Sequence, residues 1–399
     1  MPDGDTDDGG SPSRTSPSAV LIDSGRWFTD QILPFGEPGC RFVVALGLWQ
    51  EFSDALSSLA PDRLFAVIDR NAPDVGVKLA LSALAAVAPV TAVRIEPAEQ
   101  SKTLATVDAL ARQAVDARAT RRSCVVAIGG GLVGNLAGLL AALLYRGIRL
   151  VHLPTTLLAA SDATLSQKQA VNLGAAKNTI GAYHPPALVW ADVGFLQDLP
   201  VVQVRSALCE AAKNVLALDP RQLPALRMIA GAAGRHTAAQ LAQLIDICVQ
   251  IKTSVLIGDP RESRRALALE YGHTVGHAVE MVACGRVPHG YAVALGMLTA
   301  AEVAARCGIL AAASVAAHTD LLASIGVPLR APRELRTDQI VRLVRRDNKR
   351  GLIPVAENTC AMVLLSALGS PATTGDIPLV AVHERLLHDA LSATVVNHS

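Results

Sequence analysis

His273 and His277 stand four residues apart in an alanine-rich segment, and His289 follows soon after, next to Pro288. Residues at i and i+4 of a helix share one face, so the two imidazoles point the same way. Neutral imidazole is the commonest protein ligand of a divalent metal, and His289 can close such a site from the adjoining loop. Glu270 adds an acidic neighbour. The bland alternative is a pair of hydrogen-bonded core histidines. No HExxH run occurs, so a zinc-protease arrangement is not indicated.

A second feature lies upstream. The run Gly129, Gly130, Gly131, Leu132, Val133, Gly134, Asn135 follows an apolar stretch at 124–128 and precedes a helical pattern at 136–144. Glycines at a strand-to-helix turn let backbone amides approach a phosphate, and the helix N-terminus adds the positive end of its dipole. A tight turn with no ligand uses the same residues. Asp69 ends an earlier apolar run, where a carboxylate can take ribose hydroxyls or cap a helix. Glu99 and Lys102 follow the next run, within reach of the same ligand or paired with each other at i, i+3.

Thr155, Thr156, Asp162, Lys168, Asn172, Lys177 and Asn178 form a polar cluster in an apolar chain, read as a glycine-bearing loop. Lysines there suit a polyanionic or polyhydroxylated ligand, because each ammonium supplies three donors. Glu210 and Lys213 share one amphipathic helix and Lys252 sits on another. Singly, each of the three reads as a surface residue.

These residues need elements to hold them. Short apolar runs at 42–46, 64–68, 91–95, 124–128 and 150–153 predict strands, with helical periodicity between them at 79–88 and 104–117. Such alternation implies a largely parallel, doubly wound sheet. Pro185 and Pro186 interrupt it, and from Asp198 onward helical spacing dominates at 201–218, 237–257, 267–284, 290–307 and 312–325. Only 360–365 resembles a late strand. The expected fold is α/β plus all-α, with a doubly wound domain at 20–190, a helical domain at 191–390 and the active site in the cleft between them.

Composition narrows the classes. The chain has 399 residues, 51% hydrophobic and 18% charged, with a net charge of +1. That is room for about two domains, without the basic face of a nucleic-acid binder. Apolar runs are broken well before the roughly 20 residues a membrane span needs. Seven scattered cysteines without a CxxC pair argue for free thiols in a reducing compartment, so a cytoplasmic location is expected. Residues 1–19 are rich in Gly, Pro, Ser and Asp, lack a signal-peptide pattern, and read as a disordered tail.

In combination, the motifs resemble a family. GGGLVGN, YRG at 145–147, LPTTLLA at 153–159, Asp162, Lys168, the KN of Lys177 and Asn178, CEAAKN around Glu210, GHTVGH and the HG at His289 occur in the order and spacing of dehydroquinate synthase-like sugar phosphate cyclases. The resemblance spans about 41–365. Within that group, LSQKQAVN at 165–172 is similar to the SLKQAVN of 2-deoxy-scyllo-inosose synthases, and Glu270 stands where dehydroquinate synthases carry Asn. Ala266 replaces their usual Arg, which fits a substrate without a carboxylate.

The resemblance implies an NAD-binding α/β domain, a helical metal-binding domain and a homodimer. It implies Glu210, His273 and His289 as ligands of Zn²⁺ or Co²⁺, moving His277 from the metal to the substrate. Asp69, Glu99, Lys102, Gly130, Gly131, Asn135, Thr155, Thr156, Asp162 and Lys177 are then expected to hold NAD. Lys168, Glu270, His277 and Lys213 are the implied catalytic residues, with Asn178, Lys252 and Lys349 binding the substrate. The implied reaction turns glucose 6-phosphate into 2-deoxy-scyllo-inosose: oxidation at C4, loss of phosphate from C6, re-reduction at C4, ring opening and aldol closure. It belongs to the biosynthesis of 2-deoxystreptamine aminoglycosides. The alternatives are a cyclase of another sugar phosphate, such as sedoheptulose 7-phosphate, a 3-dehydroquinate synthase, or an NAD- and metal-dependent polyol dehydrogenase. One departure stands out, Tyr291 where these enzymes commonly place an acidic residue.

Overall fold

The computed structural model describes residues 27–36, 39–174, 176–231, 235–345, 347 and 349–394. The expected tail at 1–19 lies outside them.

The first half alternates strand and helix: β1 Trp27–Leu33, β2 Cys40–Ala45, α1 Trp49–Ser57, β3 Leu64–Asp69, α2 Asp74–Ala85, β4 Val90–Ile95, α3 Leu104–Asp116, β5 Cys124–Gly129, α4 Gly131–Leu143 and β6 Arg149–Pro154. A hairpin follows, β7 Lys168–Leu173 and β8 Ala176–Tyr183, and then β9 Leu188–Asp192. The main sheet has seven strands in the order β1-β2-β9-β6-β5-β3-β4. All neighbours are parallel except β1, which pairs antiparallel with β2 at one edge.

Strands β3 and β5 are buried along their whole length, as expected for a parallel sheet covered on both faces. Phe65, Val67, Val125 and Ala127 face α3 and α4 in one apolar cluster. Their alternating neighbours Ala66, Ile68, Val126 and Ile128 face the opposite way, into a core that runs on into the helical half. That shared core fixes how the two halves meet. The chain passes from β3 outward to β4, then returns to lay β5 on the other side of β3. The carboxyl ends of β3 and β5 therefore flank a topological switch point, where such sheets bind ligands.

The second half contains α5 Val201–Leu218, α6 Leu223–Ala230, α7 Ala238–Leu256, α8 His273–Ala283, α9 His289–Arg306, α10 Ala312–Ile325, α11 Thr337–Val344 and α12 Glu384–Thr394. Helix α7 opens with a capping box between Thr237 and Gln240.

Three sequence expectations change. The single helix expected at 267–284 is a short 3₁₀ segment, Arg265–Glu270, followed by α8. Gly272 divides them at φ +77°, a left-handed conformation that favours glycine. The polar loop around Lys168 is the β7–β8 hairpin, whose lysines and asparagines hid an alternation that buries Gln169 and Val171. In place of one late strand there are two small antiparallel pairs, β10 Thr359–Met362 with β13 Val380–His383 and β11 Leu365–Ala367 with β12 Ser370–Pro371. Strands of two to four residues are too short for alternation to be read.

Candidate active site

Helices α5, α8 and α9 approach one another more closely than ordinary side chains allow. A Cβ on Gly296 of α9 would run into the carbonyl oxygen of Gly272, and one on Gly290 would run into that of Ser206 on α5. The amide of Gly290 donates to Ser206 Oγ at 2.9 Å, tying the start of α9 to α5. His273 and His289 are the first residues of α8 and α9, so this packing brings both beside Glu210 of α5.

One ligand atom from each of Glu210, His273 and His289 lies within 4.8 Å of the others. His289 Nε2 is 3.3 Å from Glu210 Oε1, and His273 Nε2 is 3.7 Å from the same oxygen. Glu210 is 1% exposed, and neither of its carboxylate oxygens receives a regular hydrogen bond. Lys213 Nζ approaches Oε2 at 2.6 Å. A buried carboxylate with an unsatisfied oxygen, facing two imidazole nitrogens, is the donor set of a three-ligand metal site with an open position. The residues present therefore fit a divalent cation.

The electrostatics agree. Burial pushes the Glu210 carboxyl up, but Lys213, His273 and His289 hold it well below the usual carboxylate range. Burial disfavours charge on His289, yet Glu210 and Glu280 raise it to about 10. Two carboxylates that stabilise a proton this strongly will also stabilise a metal ion in its place. Among the described residues His277, by contrast, has no carboxylate within hydrogen-bonding reach, Asp347 Oδ2 lying 4.0 Å from its Nδ1. Burial lowers it to about 4, so it is neutral at pH 7. Its ring lies 5.1 Å from that of His273 but it stands outside the ligand trio.

Around the trio, charges alternate in sign. Lys349 is 1% exposed and its Nζ lies 3.4 Å from Glu270 Oε2 and 2.8 Å from Asp347 Oδ1. Burial raises the Glu270 carboxyl, but Lys349, His273, Lys168 and His277 together keep it well below its ordinary value. Lys168 Nζ sits 2.6 Å from Glu262 Oε2. Lys252 Nζ donates to Asp162 Oδ1 at 3.0 Å and to its carbonyl at 2.9 Å. Asp162 lies in a π-helical turn, Ala159–Ala163, a wide turn frequent at functional sites.

The switch-point crevice takes the other predicted residues. Asp69 accepts from the Asn71 amide at 2.8 Å. A Cβ on Gly130 would lie 3.2 Å from Thr156 Cγ2, and one on Gly131 3.3 Å from Ala163 Cβ, so bulkier residues would close the turn over the α4 N-terminus. The amides there are unpaired within the helix, and the turn fits a dinucleotide phosphate. Thr155 donates its amide to Gly129, and Thr156 Oγ1 caps the next turn by accepting from Ala159. Asn135 uses both amide atoms internally, donating to the Gly131 carbonyl at 2.8 Å and accepting from the Ala170 amide at 2.9 Å.

Asn172 ties the hairpin to the 99–102 loop. It donates to Glu99 Oε1 at 2.7 Å, accepts from the Asn178 amide at 2.9 Å, and its own amide donates to the Lys102 carbonyl. Lys102 in turn donates to Asn178 Oδ1. Lys177 on β8 is 3.7 Å from Glu280 Oε1. Thus Glu210, His273, His289, Lys213, Lys168, Glu270, His277, Lys252 and Lys349 form one charge network, buried except for the partly exposed Lys168, Glu270, His277 and His289, while Gly130, Gly131 and Asn135 line a small cavity at the glycine turn, with Asp69, Thr155 and Thr156 around it. Three polar partners escaped sequence reading: Glu262, Glu280 and Asp347. For Glu280 a signal existed, since His273, His277 and Glu280 are spaced i, i+4, i+7 on one face of α8.

The family models of 3-dehydroquinate synthase match this chain, the N-terminal one over residues 92–206 and the C-terminal one over 207–350. A 2-deoxy-scyllo-inosose synthase of Niallia circulans is 40% identical over 330 residues, covering 83% of this chain and 90% of that one. A crystal structure of a 2-deoxy-scyllo-inosose synthase complexed with carbaglucose-6-phosphate, NAD⁺ and Co²⁺ superposes with a TM-score of 0.87 at 37% identity, over 92% of this chain and 100% of that one. The 2-epi-5-epi-valiolone synthase of Streptomyces hygroscopicus subsp. jinggangensis 5008, with NAD⁺ and Zn²⁺ bound, gives 0.77 at 25% identity over 91% and 98%.

Proposed function

We infer, for a chain that belongs to the dehydroquinate synthase-like sugar phosphate cyclases and among them to the 2-deoxy-scyllo-inosose synthases, that it converts glucose 6-phosphate to 2-deoxy-scyllo-inosose and inorganic phosphate. The observation that carries this is the convergence of a buried metal-type trio with Lys168, Lys213, Lys252 and Lys349 in one cleft. A substrate with both a hydroxyl to be deprotonated and a phosphate to be lost matches that charge set. With 2-deoxy-scyllo-inosose as product, the enzyme would supply the carbocycle of 2-deoxystreptamine aminoglycosides.

When bound, a divalent cation held by Glu210, His273 and His289 supplies Lewis-acid polarisation of a substrate hydroxyl, and a nicotinamide dinucleotide at the switch-point crevice supplies reversible hydride acceptance. The chain's own residues do the rest. Lys213 compensates the buried Glu210 charge and offers the substrate an ammonium. His277 is neutral, and its imidazole beside the cleft is the acid/base group that hydroxyl deprotonation calls for. Lys168, which can exchange its Glu262 partner for a phosphate, and Lys252, with Asn178, give the leaving group its cationic surroundings. Glu270, kept ionised by Lys349, accepts hydrogen bonds from sugar hydroxyls. Ala266 is buried and offers no cation for a substrate carboxylate, which disfavours 3-dehydroquinate formation.

The same reading places NAD on residues 20–190 and the metal on 191–390, and takes the active form as a cytoplasmic homodimer. In support of location, the seven cysteines are free, and among the described residues no helix is long and apolar enough to cross a membrane.

The test is phosphate release from glucose 6-phosphate by metal-loaded enzyme with NAD, with NADH absorbance followed in the same cuvette. Release with a carbocyclic ketone product and no accumulating NADH is expected. Accumulating NADH would indicate a polyol dehydrogenase, and activity only on sedoheptulose 7-phosphate would indicate a different cyclase.

A further inference from the structure

We propose that Glu280 is the positioning residue of the metal site, holding His289 by its Nδ1 so that Nε2 faces Glu210. This rests on the assignment of Glu210, His273 and His289 as metal ligands. Glu280 stands two helical turns along α8 from His273, on the same face. Its side chain is 13% exposed, and its Oε2 lies 3.0 Å from His289 Nδ1. With that nitrogen donating to the carboxylate, the lone pair of Nε2 points to the Glu210 oxygen 3.3 Å away.

The two histidine ligands are held differently. Among the described residues His273 Nδ1 bonds the backbone carbonyl of Tyr271, at 3.3 Å. His289 opens α9 directly after Pro288, and Glu280 is the acceptor that orients its ring. Glu280 thereby supplies the carboxylate contact to His289 that a tyrosine at position 291 does not. Tyr291 instead packs against the apolar core. The other oxygen of Glu280 faces Lys177 Nζ at 3.7 Å, so the carboxylate is itself held from the β8 side. Carboxylates that orient a ligand histidine in this way commonly contribute 10- to 100-fold in metal affinity.

The experiment titrates the full-length apoprotein with Zn²⁺ against a chromophoric chelator and records the d–d absorption of the Co²⁺ form. Wild type, His289→Ala and Glu280→Gln are compared, with Glu280→Asp as a second probe that keeps the charge one methylene further back. One tight site in the wild type and none in His289→Ala establish the ligand assignment independently. Glu280→Gln is then expected to bind Zn²⁺ about 10- to 100-fold more weakly, with shifted Co²⁺ bands, and Glu280→Asp to fall between. Wild-type affinity and spectrum in both Glu280 variants would overturn the proposal while leaving the ligand assignment intact. Full metal retention by His289→Ala would overturn the ligand assignment, and this proposal with it. If Glu280→Gln does not fold, Glu280→Asp alone decides, wild-type affinity counting against.

Discussion

The two halves of the molecule build their walls of the cleft from different material. On the sheet side, most polar side chains turn back on the backbone: Asp69 on the Asn71 amide, Asn135 on Gly131 and Ala170, Thr156 on Ala159, Asn172 on Asn178. They shape the loops that border the crevice. On the helical side, side chains turn on each other: Glu210 with Lys213 and two histidines, Glu270 with Lys349, Glu280 with His289. A wall of backbone amides tolerates the loss of one supporting side chain. A network of buried charges does not, because removing one partner leaves another uncompensated.

Glu210→Gln should break the comparison most severely. It removes a ligand charge and strands the Lys213 ammonium, so metal content by atomic emission should fall below stoichiometric and phosphate release should drop by about 10³-fold or more. Wild-type metal content would show that the helical wall is more redundant than its geometry implies.

The sheet half carries its own buried titratable group in His152. Burial, reinforced by His184, lowers it from 6.5 to about 4. Between those values the unfolded chain binds a proton that the folded chain does not, so stability is fully present above about pH 6.5 and is lost as pH falls toward 4. The loss should be on the order of 3 kcal/mol. Urea unfolding at several pH values should show this slope, and His152→Gln should flatten it without changing metal content.

Gly296→Ala tests whether helix spacing, and not the ligands alone, builds the metal site. Forcing a methyl against the Gly272 carbonyl should cost about 2 kcal/mol of stability in urea, and metal affinity should fall with it. Unchanged affinity would separate packing from ligation.

Asn172→Ala is the mildest of the set. It deletes the hydrogen bonds to Glu99 and Asn178, worth about 1 kcal/mol net. The KM for NAD should rise roughly five-fold with little change in kcat, as a backbone-built wall predicts. A collapse of kcat would move Asn172 onto the helical side of the comparison.

Much of this was legible in the amino-acid order. Apolar runs located the inner strands β2, β3, β5 and β6, helical spacing located α5, α7, α9 and α10, and the GGGLVGN turn marked the start of α4, because burial on two faces or on one stripe leaves a periodic trace. The strands β1 and β9 and the β7–β8 hairpin left weaker traces. The candidate residues were also nameable, and the family resemblance grouped Glu210 with His273 and His289, but spacing by itself did not. Spacing alone paired His273 with His277, since both share a helix face. Only the packing of α5, α8 and α9, through glycines that admit no Cβ, set Glu210 and His289 beside His273 and left His277 apart. Sequence reports what lies on one face of one element; which faces meet is decided by contacts between residues far apart in the chain, as between Glu210 and His289. Glu262 and Asp347 were missed for that reason, because a carboxylate acquires its role only from the lysine or histidine that the fold places against it; Glu280 shared a face with His273 and His277, but its partner His289 lies on another helix.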